Sequence, residues 1–164
     1  MAIKSRTIAG FGKRIEYWLI GLMIKEGLNV YGPVNDYDGT DLVVKKSNGT
    51  YIEIQVKASA KTIATGYSGL FGNIPHKDKK NYFYIFYSEK LNIIWIMPSK
   101  DFLKYSKQYK TGKNIGNRVI ELTGKRKNVS FEASAKKGKK TNKREEYVHE
   151  RFKKYITTDF SKFK

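Results

Sequence analysis

The segment "DGTDLVVKKSNGTYIEIQVKAS", Asp38 to Ser59, holds oxygen ligands and a cation at spacings suited to phosphodiester chemistry. Along a strand, side chains alternate between faces, so Glu53, Gln55 and Lys57 share one face and Ile52, Ile54 and Val56 share the other. Successive groups on a face stand ~6.6 Å apart, far enough for one to hold a metal ion and the next to touch substrate. Asp41 opens the preceding strand, and a tight turn at Asn48-Gly49 would bring it close to the level of Lys57. Phosphodiester hydrolysis needs hard oxygen ligands for Mg²⁺, which takes one or two protein carboxylates and keeps several waters. It also profits from an ammonium that stabilises charge or orients water. On these grounds Asp41 is the principal metal ligand, Gln55 offers a neutral carbonyl oxygen, and Lys57 suits the third role. Mn²⁺ is expected to substitute for Mg²⁺.

These residues need a helix and a hairpin to position them. From Ile8 to about Glu26, apolar residues at Phe11, Ile15, Trp18, Leu19, Leu22 and Met23 have helical spacing, and Gly27 ends the run. "LNVYGPV" reads as a short strand and "NDYDGT" as a turn. "DLVVKK" and "TYIEIQVKAS" form a β-hairpin around "SNG". Residues 60 to 80 lack a clear period and read as a long loop. "NYFYIFYS" and "NIIWIMP", near-continuously apolar, are expected in the sheet centre. Ser99 is expected to cap a short helix, "KDFLKYSKQ", and "NRVIELTG" adds a strand. Asn142 with Glu145 resembles a capping box opening a terminal helix with Val148, Phe152 and Ile156 as its apolar stripe.

In their order and context, "DGTDLVV" and "IEIQVKAS" resemble the PD-(D/E)XK nuclease superfamily, in the branch where Gln replaces the motif's acid. That branch is similar to the group I intron-encoded PD-(D/E)XK homing endonucleases. The resemblance covers roughly residues 8 to 60 and, more weakly, "NYFYIFYSEKLNIIWIMPS". It implies a restriction-endonuclease-like α/β core, a central mixed sheet flanked by helices. It also implies an active site of Glu16 on the first helix, Asp41, Gln55 and Lys57, with Glu16, Asp41 and Gln55 facing the metal. "GTD" stands where the family carries "PD". Since Gln55 is uncharged, Glu53 or Glu16 would supply the second carboxylate, and Asp38 is a further auxiliary candidate. In a turn-rich segment, Asp36 and Asp38 also serve to cap their own backbone. Glu16 equally suits a solvated helix flank paired with Lys13.

Charge names the partner class. The 164 residues carry 33 Lys plus Arg against 15 Asp plus Glu, a net +18, which suits a polyanion. DNA is the expected partner. A membrane surface is not, because the amphipathic segment at Ile8 to Lys25 has few basic residues. From Lys125 to Lys164 there are 14 Lys or Arg against five Asp or Glu. The chain therefore divides into a core at 1–124 and a basic extension at 125–164 with a terminal helix, packed on or continuous with the core. Candidate nucleic-acid contacts are Lys61, Tyr67, His76, Lys77, Lys79, Lys80, Lys136, Lys137, Lys139 and Lys140, with Tyr67 and Phe71 for base stacking. The absence of Cys removes disulfides, thiolate zinc sites and a cysteine nucleophile, and two His are too few for a zinc site. Without a signal sequence or a membrane-length apolar run, a soluble cytoplasmic protein is expected. Cutting both strands of a duplex would most simply use a homodimer. Restriction, homing and Holliday-junction resolution are equally compatible with this chemistry, as is non-catalytic nucleic-acid binding on the same scaffold.

Overall fold

The structure is a computed structural model that describes residues 8–33, 39–61, 67–76, 78–127 and 144–164. Helix α1, Ile8–Lys25, buries Phe11, Leu19 and Met23 on its inner stripe. It stops at Gly27, whose φ of +82° lets Leu28 N–H reach the Met23 carbonyl (3.1 Å) and Gly27 N–H reach that of Ile24 (2.9 Å). Strand β1, Asn29–Tyr31, then pairs antiparallel with β2, Leu42–Lys45, which pairs antiparallel with β3, Tyr51–Ser59. The β2–β3 turn holds three residues, Ser47, Asn48 and Gly49, closed by Lys46 N–H on the Thr50 carbonyl (2.8 Å). Gly49 takes the left-handed position (φ +84°), and Asn48 Oδ1 accepts from the Thr50 backbone N–H (3.0 Å) and hydroxyl (2.7 Å).

Strand β5, Tyr82–Ser88, runs parallel to β3 and antiparallel to β6, Ile93–Pro98, so the main sheet has the order β1-β2-β3-β5-β6. It is the central mixed sheet of an α/β fold, as the sequence leads one to expect. The chain between β3 and β5 is more than a loop: it contains β4, Leu70–Ile74, which pairs with β8, Arg118–Glu121. With β7, Lys107–Gln108, these make a second sheet of order β4-β8-β7. β4 escapes a sequence reading because its pairing partner lies far along the chain and a bulge between Phe71 and Ile74 breaks its alternation.

Both faces of the main sheet are covered. On one, α1 packs over Ile52, Ile54, Val56, Ile85 and Ile96, joined by Phe160 and Phe163. On the other, Tyr84, Phe86, Trp95 and Met97 meet Phe71, Ile74 and Phe102, the last from α2, Ser99–Tyr105. Burial on both faces accounts for the unbroken apolar character of β5 and β6. β6 is nevertheless the terminal strand and not central. Its outer edge is covered by the later segment, where Ile96 N–H donates to the Tyr155 carbonyl (2.9 Å) and Thr157 N–H to that of Ile94 (3.1 Å).

Two local expectations fail. Pro98 occupies the N-cap position of α2, and Ser99 lies inside the helix with its hydroxyl on His76 and the Lys79 N–H and not on the helix's own first turn. Among the described residues no helix starts near Glu145: residues Arg144–Val148 form β10, paired over five positions with β9, Thr123–Lys127, and the α-helical turn that follows is Glu150–Lys153, α3. Non-local pairing outweighs a helical stripe that Val148 and Phe152 mimic, both of which still pack into the second core. Asn142 lies outside the described residues. No helix among the described residues is long and apolar enough to cross a membrane.

Candidate active site

The hairpin register sets the first relation. Leu42 stands opposite Ile54, and Asp41 N–H donates to the Ile54 carbonyl (2.9 Å), so Asp41 comes level with Gln55, two residues short of Lys57. A two-residue turn at Asn48-Gly49 would set Asp41 opposite Val56, one residue from Lys57; the third turn residue moves it one position further, to Gln55. The Asp41 carboxylate accepts the Val56 N–H at Oδ2 (2.6 Å), satisfying a donor of β3 at the point where β2 leaves the ladder. Hairpin end and candidate metal ligand are thus one residue.

Gln55 is 4% exposed, and its Oε1 is buried without a hydrogen-bond partner among the described residues. Leaving such an acceptor unmatched costs ~1–3 kcal/mol. Its Nε2 packs against Gly39, where an added Cβ would come within 2.7 Å, and Gly39 has φ +70°. The Tyr82 hydroxyl donates to the Gly39 carbonyl (2.9 Å) and helps fix that close approach. Gly39→Ala is therefore expected to displace the Gln55 carboxamide and to reduce any Mg²⁺-dependent activity at least tenfold; parallel cleavage and DNA-binding assays check that affinity is retained. Lys57 follows on the same face, half-buried, with no hydrogen bond or ion pair among the described residues.

The remaining carboxylates are engaged. Glu16 Oε2 pairs with Lys13 Nζ at 2.5 Å, and the glutamate side chain is 14% exposed. The Lys13 pKa is raised by the bond to Glu16 first and also by the charges of Glu16 and Asp41, so Lys13 is bonded to the helix carboxylate and lies in the field of the hairpin one. Lys13 is the site residue that sequence reading left as a mere flank partner: spacing reveals its bond to Glu16, but only packing puts it in the field of Asp41. Glu53 accepts from the Thr40 hydroxyl (2.9 Å) and from Lys79 Nζ (3.2 Å). Asp38 lies outside the described residues. Among the described residues no three His, Cys, Asp or Glu cluster together. A carboxylate from Asp41 level on the hairpin with a buried Gln55 amide oxygen that has no partner among the described residues is a donor set that fits Mg²⁺, which needs few protein ligands.

No family model matches the sequence, and no curated protein matches it. Among solved structures the chain is similar to the bacterial homing endonuclease I-Ssp6803I, at 22% identity and a TM-score of 0.49, covering 69% of this chain and 89% of that one.

The candidate DNA contacts divide. Lys61 and Lys80 are exposed, and Lys79 is held by Glu53 with its ammonium 5.1 Å from the Tyr82 ring. Tyr67 has the Lys125 ammonium 3.9 Å from its ring centre. Phe71 is buried against Phe86 (4.9 Å), which removes it as a base-stacking surface. His76, expected at the surface as a phosphate contact, is half-buried and packed among Tyr82, Tyr84 and Phe102, with Nε2 2.7 Å from the Ser99 hydroxyl. Burial lowers its pKa to about 4, so the ring is neutral at pH 7. An NMR titration should place its midpoint near 4, well below that of an exposed histidine. Lys77, Lys136, Lys137, Lys139 and Lys140 lie outside the described residues.

Proposed function

We propose that this protein is a Mg²⁺-dependent endodeoxyribonuclease. One observation carries the reading: Asp41 and the unpartnered, buried Oε1 of Gln55 stand at one level of the hairpin, with Lys57 next along the same face. Asp41 and Gln55 would hold the ion, which when bound polarises the scissile phosphate and supplies hydroxide near neutral pH. The Lys57 ammonium stabilises negative charge on the phosphate or orients the attacking water. Glu16 acts as an auxiliary carboxylate through Lys13, whose ammonium fixes its position. Val56 N–H holds the Asp41 carboxylate in place, which lowers the reorganisation needed when substrate arrives. Water is the nucleophile, and no covalent intermediate is required. Mn²⁺ supports the same ligand set, and a two-fold pair of chains would cut both strands of a duplex.

DNA as the substrate is supported by the net charge of +18. Affinity is expected to fall by roughly a thousandfold between ~50 and ~200 mM salt, as for ~6 or more phosphate contacts, and fluorescence polarisation across a salt series measures it.

A non-catalytic nucleic-acid-binding role is the second reading. What favours it is the engagement of each described carboxylate near the hairpin: Asp41 with Val56, Glu16 with Lys13, and Glu53 with Thr40 and Lys79. The deciding experiment incubates the protein with supercoiled, linear, single-stranded and four-way-junction DNA, in Mg²⁺ or in EDTA, with matched RNA alongside. Cleavage that needs Mg²⁺ supports the nuclease, and the preferred substrate sorts restriction, homing and junction resolution. Tight binding with no cutting of any substrate supports the binder.

A further inference from the structure

A cleft of about 480 Å³ opens beside the hairpin, between the start of β5 and the second sheet, with His76, Lys79, Tyr82, Gln108 and Asn117 on its walls. That volume falls within the ~300–1,000 Å³ of small-molecule sites. The cleft touches the candidate active site at two points. Lys79 Nζ bonds Glu53, which shares a strand face with Gln55, and the Tyr82 hydroxyl bonds Gly39, against which Gln55 packs.

Its chemistry differs from that of the rest of the molecule. In a chain of charge +18, the walls carry one cation among the described residues, Lys79, and that ammonium is paired with Glu53 at 3.2 Å. His76 is neutral, its Nε2 against Ser99. Gln108 Nε2 donates to the Gly116 carbonyl (2.9 Å), and Asn117 Nδ2 donates to Asn73 Oδ1 (2.6 Å). Those bonds fix both amide planes and leave on each a carbonyl oxygen and a second N–H. Asn73 is held for this at φ +56°, on the bulge of β4. The half-buried His76 ring, with two fixed amides that each offer a donor and an acceptor, does not suit phosphate. It suits a flat, neutral ring with hydrogen-bonding edges.

We infer that this cleft takes an unstacked nucleobase of the bound strand, placed beside the phosphate held at Asp41 and Gln55. The inference rests on the nuclease reading for the identity of the strand as DNA. Gln108 and Asn117 read the edge of the base, the half-buried His76 ring forms a wall backed by the buried Tyr82, and Lys79 lies on the side nearest the backbone.

The test uses the full chain in EDTA, so that cleavage plays no part, with two probes: a short single-stranded DNA of mixed sequence and an abasic chain of the same length and charge. The base-bearing strand should bind roughly tenfold more tightly, as expected for one base in a stacking site. Gln108→Ala and Asn117→Ala, made separately, should each shrink that ratio and leave abasic affinity unchanged. Equal affinity of wild-type protein for the two probes, or binding of neither, overturns the inference without recourse to any variant. A ratio that both variants leave intact overturns it as well. Base discrimination without Mg²⁺-dependent cleavage supports the cleft and sinks the nuclease reading, so the two fail separately.

Discussion

Asp41→Asn should lower Mg²⁺-dependent DNA cleavage by roughly a thousandfold while DNA affinity changes by less than about threefold. The substitution keeps the side chain's size and an oxygen able to accept the Val56 N–H, so the end of the hairpin ladder survives. What it removes is the negative charge that, on the proposed reading, would hold the ion. The stability cost should be about 1 kcal/mol, the difference between a charge-assisted and a neutral hydrogen bond. Lys57→Ala is the companion. Because Lys57 makes no hydrogen bond or ion pair among the described residues, its loss should leave the melting temperature nearly unchanged and reduce single-turnover cleavage by ~10²–10³. Single-turnover rates, polarisation binding and thermal melts on the same preparations separate these effects. Undiminished cleavage by Asp41→Asn would remove Asp41 as the metal ligand.

The second large effect concerns stability and lies far from the hairpin. Glu146 on β10 has a side chain only 4% exposed. Burial alone would raise its pKa, but hydrogen bonds from Ser68, Thr123 and Lys90 outweigh it and hold the carboxyl at about 2. The Ser68 backbone N–H (2.8 Å) and Thr123 hydroxyl (2.7 Å) donate to Oε1, and Lys90 Nζ lies 3.2 Å from Oε2. One carboxylate therefore ties β10 to β9, to the approach to β4 and to the β5–β6 turn.

A fall from 4.5 to about 2 corresponds to ~3 kcal/mol at ~1.4 kcal/mol per pH unit. Because the folded-state pKa is depressed, this stabilisation is complete above pH 4.5 and is lost as pH falls toward 2. Glu146→Gln should then lower the melting temperature at pH 7 by roughly 6–12 °C, at ~2–4 °C per kcal/mol. Melts in a pH series should show the gap between wild type and variant constant from neutrality down to about pH 5 and narrowing below it. A gap independent of pH would mean that packing, not charge, accounts for the loss.

How much could be read beforehand depended on the range of the interactions. The first helix was legible because its stripe at Phe11, Leu19 and Met23 and its stop at Gly27 are local. The hairpin was legible because Asn48 and Gly49 do their work within the turn. The sharing of one strand face by Glu53, Gln55 and Lys57 follows from alternation alone. Asp41 was expected close to Lys57 and stands two residues short of it, one of them the residue that separates a two-residue turn from a three-residue one. β4 and β10 were missed because each is made a strand by a partner that local pattern does not reveal, β8 for the first and β9 for the second.

The sequence by itself determined the chemistry on offer: hard oxygens at Asp41 and Gln55, an ammonium at Lys57, no thiol, and a charge of +18. Residue type and strand alternation set these before any contact forms. Tertiary structure decided which groups are at liberty to use that chemistry. It closed Gly39 onto Gln55 and left the amide oxygen buried without a partner, set Lys13 between Glu16 and the field of Asp41, and bound Glu53 to Lys79. It also buried His76 into neutrality. Desolvation and pairing depend on neighbours brought together from distant parts of the chain, so the protonation and availability of each group emerge only once the sheet and α1 have packed.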